Sequence, residues 1–231
     1  MNTYTQLLNI IRSSGAEQDC LMSPEFILSE FERSSQIVLR SEFPQSRLHG
    51  CYFHFTQAIY NYIQENGLVS YYRDYPEIRR FFRHVMSIGF LPPARVEIFF
   101  DNLLENFIGG EYSEEIIAVV VDIGAKFGEY VAGEWLSSQQ KTREFNVYGL
   151  QQRTNNNMES WHHHVNRSVK KTHPNIFELI QFMQKEQALT ESAIVHLDGG
   201  DEPPRRRQKY VYIDKNIDEL RVRYEEEGIR A

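Results

Sequence analysis

Between residues 56 and 135 the apolar residues of this chain recur at helical spacing almost without interruption, and that run limits the fold more than any other feature. Ala58, Ile59, Tyr62 and Ile63 lie on one helical face, and Gly67 supplies a stop. Ile78, Phe81, Phe82, Val85 and Ile88 repeat the spacing. Pro92 and Pro93 open a third helix through Val96, Phe99, Phe100, Leu103, Leu104 and Phe107, which Gly109 and Gly110 end. Ser113 is placed to cap a fourth helix reaching Trp135. A block of consecutive helices this long excludes a sandwich of antiparallel sheets. Of 231 residues, 41% are hydrophobic and 13% aromatic, enough for a sizeable core, so wholesale disorder is excluded too.

On either side of the block the pattern is mixed. Tyr4, Leu7, Leu8 and Ile11 predict a short helix. Residues 25–29 and 47–55 read as strands, the second ending in the aromatic run Tyr52-Phe53-His54-Phe55. Between them a helix carries Phe31, Ile37, Val38 and Leu39, closed by Pro44. Residues 155–189 return to helical spacing. Met158, Trp161, Val165 and Val169 form one stripe, Pro174 breaks it, and Ile176, Phe177, Ile180 and Met183 form the next. Residues 199–208 are a linker of Gly, Pro and Arg, and residues 214–227 a charged helix with Ile217, Leu220 and Tyr224 on one side. The fold class expected is α/β, predominantly helical.

Charge and cysteine content narrow the function classes. The net charge of −7 does not suit a uniformly basic nucleic-acid binder, so any such contact must use local patches. Two cysteines, Cys20 and Cys51, cannot staple a secreted scaffold. The longest uncharged apolar stretch, residues 116–121, is far short of the roughly 20 residues a membrane span needs. Residues 1–12 lack the charged start of a secretory leader. The expectation is a protein of the nucleus or cytoplasm that is neither secreted nor membrane-bound.

Four features could carry chemistry. Glu30 and Glu32 follow the first strand; carboxylates there suit Mg²⁺, which takes oxygen ligands, and equally suit a helix start. Cys51 and His54 form a C-x₂-H pair, but no second pair at zinc-finger spacing follows, so a structural or site-bordering role is expected rather than zinc. In the run from Arg153 to His164, Glu159 falls in a first helical turn, with His162, His163 and Asn166 on its side and Met158, Trp161 and Val165 facing elsewhere. Adjacent histidines on a helix point about 100° apart, so the three-histidine run does not suit one ion. Last, Arg79, Arg80, Arg83 and His84, then Arg167, Lys170, Lys171 and His173, then Arg205, Arg206, Arg207 and Lys209 form basic clusters that suit phosphate contacts or solvated faces alike.

Taken in order, these residues resemble the catalytic core of Mutator-like (MULE) transposases. The resemblance runs from about Tyr4 to the tail. It rests on Phe31-Glu32 and Phe43-Pro44, Gly50-Cys-Tyr-Phe-His-Phe55 with Gln57-Ala58, Phe90-Leu-Pro-Pro93, Trp135, Arg153-Thr-Asn-Asn, Glu159-Ser-Trp-His162 and His173-Pro174. Each piece alone is weak; their order and distances together carry the resemblance.

The resemblance implies an RNase H-like (DDE) core, a mixed sheet presenting an Asp, Asp, Glu triad with an all-helical insertion before the Glu. Residues 1–55 and 150–190 would form the partial core, 56–149 the insertion, and 191–231 a basic linker and short C-terminal helix. It implies two-metal phosphoryl transfer on DNA with Mg²⁺. Glu159 maps onto the third catalytic position and Glu30 onto the second, both as metal ligands, with Cys51, His54, Asn156 and His162 bordering the site. Arg79, Arg80, Arg83, Arg153, Arg167, Lys170, Lys171 and Arg205 to Arg207 would contact DNA. Glu30 and Glu159 would then converge, with the helical block as an excursion between them. Two departures are visible: the strands carrying the first Asp are expected before Met1, and Glu30 is one methylene longer than Asp. No zinc-finger DNA-binding region accompanies the core. The expectation is a truncated transposase core, inactive by itself, with a homo-oligomer or a separate N-terminal chain as possible partners. The alternatives are a domesticated protein-interaction module without catalysis and a nuclease complete only with another chain.

Overall fold

A computed structural model describes residues 3–169, 175–203 and 205–227. Lys170, Lys171 and the His173-Pro174 pair lie outside the described residues. The chain divides into two compact units, Met1–Asn155 and Asn156–Ala231. It is α/β and predominantly helical, with a single two-stranded sheet among the described residues.

The first unit runs α1 (Thr3–Ala16), β1 (Phe26–Ser29), α2 (Arg33–Glu42), β2 (Arg47–Gly50), α3 (Tyr52–Glu65), α4 (Val69–Asp74), α5 (Pro76–Ser87), a 3₁₀ turn (Ile88–Phe90), α6 (Pro93–Ile108), α7 (Glu114–Glu134) and α8 (Gln139–Phe145). β1 and β2 pair in parallel, from Phe26 opposite Arg47 to Ser29 opposite Gly50. Parallel neighbours need a crossover, and α2 provides it.

The helical block forms as its punctuation predicts: Gly67 sits at φ 68° past the end of α3, Pro76 opens α5, and Pro93 opens α6. Its core is aromatic. Phe81 stacks on Phe107 with ring centres 3.9 Å apart, and Phe127 packs edge-on against Phe82 at 4.8 Å. α4 is an additional short helix.

The expectation for the second strand is corrected. The second strand does not run to residue 55; β2 stops at Gly50, and Tyr52 opens α3. Aromatic residues favour strands only as far as packing allows. Here Phe55, Ile59 and Ile63 share one helical face and are fully buried. Phe55 sits between Phe145 at 4.4 Å and Trp135 at 4.9 Å. Tyr52 is tied down by its hydroxyl, which donates to the Met86 carbonyl at 2.6 Å.

The second unit holds α9 (Asn156–Val169), α10 (Ile176–Asp198) and α11 (Gln208–Glu227). α10 starts with a complete capping box. The Asn175 side chain accepts from the Glu178 amide at 2.9 Å, and the Glu178 carboxylate accepts from the Asn175 amide at 3.2 Å. α11 begins at Gln208, earlier than the residues 214–227 read from the charge pattern. No helix among the described residues is long and apolar enough to cross a membrane.

Candidate functional site

The carboxyl ends of the two strands create the site. Ser29 and Gly50 are the last paired residues, and the Cys51 amide donates to the Ser29 carbonyl at 2.8 Å. The next residues on each strand therefore emerge side by side: Glu30 after β1, and Cys51 leading into α3 after β2. In parallel α/β sheets this end collects ligands.

From that register a polar cluster follows. His54 lies in the first turn of α3, and its Nε2 stands 3.8 Å from Glu30 Oε1. The Glu30 carboxylate is largely exposed, whereas the Cys51 thiol is fully buried. The thiol donates to Asn155 Oδ1 at 3.0 Å across 104 positions of sequence. Asn155 Nδ2 in turn lies 3.5 Å from Glu30 Oε1. The Tyr52 amide donates to the Arg153 carbonyl at 3.0 Å, holding the 153–155 segment against the start of α3. The Glu30 carbonyl accepts from Gln36 Nε2 at 3.2 Å, which fixes the backbone that carries the carboxylate.

The structure also separates the two acidic neighbours. Glu32 accepts a 2.6 Å hydrogen bond from the Tyr4 hydroxyl of α1, and that bond raises the Tyr4 pKa above its ordinary value. Glu30 alone of the pair belongs to the cluster with His54 and Asn155.

The donor chemistry is selective. Mg²⁺ prefers oxygen and retains several waters, so Glu30 is a fitting ligand. An imidazole suits softer metals, so His54, 3.8 Å from the Glu30 carboxylate, fits as a neighbour of that carboxylate rather than as a Mg²⁺ ligand. Cys51, fully buried and donating to Asn155, ties the start of α3 to the 153–155 segment.

The remaining sequence candidates divide between the units. On α5, Arg80, Arg83 and His84 are exposed, while Arg79 donates to the Arg73 carbonyl at 2.7 Å. Arg153 donates to the Leu150 carbonyl at 3.3 Å. In the second unit Glu159 occupies the first turn of α9, with Asn156, His162 and Arg167 exposed on the same helix. His164 Nε2 lies 3.0 Å from Glu186 Oε1 on α10, and the ring sits 5.9 Å from Phe182. Arg205 and Arg206 pair locally with Glu202 at 3.5 Å and Asp214 at 2.9 Å, and Arg207 is exposed.

Asn155 is the residue that sequence reasoning missed. Its run of asparagines reads as turn and cap chemistry, and only its burial together with a bond to Cys51 marks it as part of the cluster. No family model, no curated protein and no solved structure matches this chain.

Proposed function

We propose that this chain is a DNA-binding core derived from a Mutator-like transposase, with a partial RNase H-like architecture. By the resemblance Glu30 takes the second catalytic position and Glu159 the third, and the chain does not cleave DNA alone. The observation that supports the reading is the placement of Glu30 beside the C-x₂-H pair at the carboxyl end of the parallel strands, the end at which such a core would present its carboxylates. Bound Mg²⁺ would activate the attacking hydroxyl and stabilise the leaving oxygen of a phosphodiester. Glu30 reaches one methylene further than the family's Asp, and a displacement on the ångström scale costs about 10²-fold in rate. The exposed Arg80 and Arg83 of α5 supply phosphate contacts.

The test is a mobility-shift titration of duplex DNA with the full chain at low and high salt, with and without Mg²⁺. Salt-dependent binding, weakened in an Arg80→Glu/Arg83→Glu variant and unaccompanied by strand cleavage, is the expected result. Absence of binding at low salt overturns the DNA reading, and Mg²⁺-dependent cleavage lost in Glu159→Gln overturns the claim of inactivity. A second reading, a domesticated interaction module without catalysis, draws support from the exposed apolar residues of α10 and α11. Those residues would have a partner whatever happens at Glu30.

A further inference from the structure

Helices in water are held mainly by packing an amphipathic face, not by propensity. α10 is long, yet Phe182 is its one buried residue, and every residue from Gln187 to Asp198 is exposed. Its apolar side chains are nonetheless ordered into a seam. Ile176, Ile180 and Met183, then Ile194 and Leu197, fall alternately four and three residues apart, with the polar Gln187 and Thr190 at the two positions between. That spacing is the seam of a helix that packs lengthwise on another helix. Its five apolar members are 46–61% exposed. Beside Trp161 of α9 the seam forms the floor of a groove of about 560 Å³, rimmed by Glu186 and Glu191.

α11 carries the matching pattern. Tyr210, Ile213, Ile217, Leu220 and Tyr224 follow the same alternation of three and four. Tyr210, Ile213 and Leu220 are exposed at 46%, 38% and 58%. The residues flanking the two seams differ in sign. Those beside the α10 seam that carry charge are Glu186, which also bonds to His164 at 3.0 Å, Glu191 and Asp198. Those beside the α11 seam are Lys209, Arg221 and Arg223, with one acid, Asp214; Asp214 pairs with Arg206 at 2.9 Å and Arg221 with Asp218 at 3.5 Å along the same helix. Within one chain α11 leaves the α10 seam open to solvent.

We propose that the second unit is a homodimerisation module in which α11 of one copy packs into the α10 seam of the other, and the reverse. The occupant is a second copy because the same chain carries both halves of a charge-complementary pair. A twofold arrangement uses each half once and closes without leaving a seam free. Flanking charges of opposite sign choose the partner helix, since α10 against α10 would oppose acid with acid. This inference stands independently of the DNA reading.

The test is light scattering after size exclusion, with sedimentation equilibrium, on the full chain at several salt concentrations. A dimer weakened by salt is expected. Glu186→Lys/Glu191→Lys should weaken it about tenfold at low salt. Adding Arg221→Glu/Arg223→Glu to the same chain should restore it, because two of the three flanking charges on each side are then inverted. Ile194→Ser/Leu197→Ser should abolish the dimer. The reversal and its rescue keep the test decisive where the seam variant loses helix. A monomer at about 100 μM, a dimer indifferent to the seam variant, or a charge reversal that the second reversal does not rescue each overturns the proposal.

Discussion

Replacing Gly50 with alanine probes the strand ends that carry the site. A Cβ built at Gly50 falls 2.3 Å from Cε1 and Cζ of Phe31 and 3.1 Å from the Glu144 carbonyl oxygen. The Glu144 oxygen is backbone and cannot swing away, so the Phe31 ring must. That ring packs edge-on against Trp135 with centres 5.0 Å apart. Its displacement loosens an aromatic pair worth about 0.5–1.5 kcal/mol. Overpacking of this kind costs about 1–3 kcal/mol. Phe31 follows Glu30 directly, so the strain reaches the carboxylate as well. Gly50 has no left-handed backbone to protect, so the whole penalty is steric. Urea unfolding monitored by tryptophan fluorescence measures it, and Gly133→Ala is the matched control. A Cβ at Gly133, in the last turn of α7, meets nothing within 4 Å, and alanine there stabilises by at most the roughly 0.5–1 kcal/mol it gains over glycine in a helix. Gly50→Ala should therefore destabilise while Gly133→Ala stabilises. Equal midpoints for Gly50→Ala and the parent chain would refute the packing described at the end of β2.

Three further outcomes are expected. Cys51→Ala removes the thiol that donates to Asn155 and leaves a buried amide oxygen without that donor, a loss of about 1–3 kcal/mol by chemical denaturation, whereas Cys51→Ser keeps a donor and should lose less. Burial holds His49 below its ordinary pKa, so the folded chain takes up its proton less readily than the unfolded chain. The stability tied to neutral His49 is present above about pH 6.5 and is lost as pH falls below it, and His49→Gln should flatten that part of a pH series of urea midpoints. Asn175→Ala breaks the capping box of α10 and should cost about 1 kcal/mol, read as lower helicity by circular dichroism and an unchanged spectrum in a Gln181→Ala control on the exposed face.

The helices were legible in the sequence because their causes are local. The spacing of Ile78, Phe81, Phe82 and Val85, the prolines opening α5 and α6, and Gly67 after α3 act within a few residues of where they stand. The predominance of helix and the pair of strands separated by one helix follow from the same local signals. Glu30 and the C-x₂-H pair could be picked out as residue types suited to a site.

Tertiary structure decided what depended on distant partners. Tyr52-Phe53-His54-Phe55 has the composition of a strand and forms a helix because Phe55 finds Trp135 and Phe145, residues far along the chain. Glu30 and Glu32 look equivalent in sequence; Tyr4 engages one, and the strand register delivers the other to His54. Asn155 is marked locally only as one of a run of asparagines. Its role comes from a thiol 104 positions away and a carboxylate 125 positions away. Local backbone preference extends over a helical turn or two, whereas a buried polar group must find its partner wherever the fold places one.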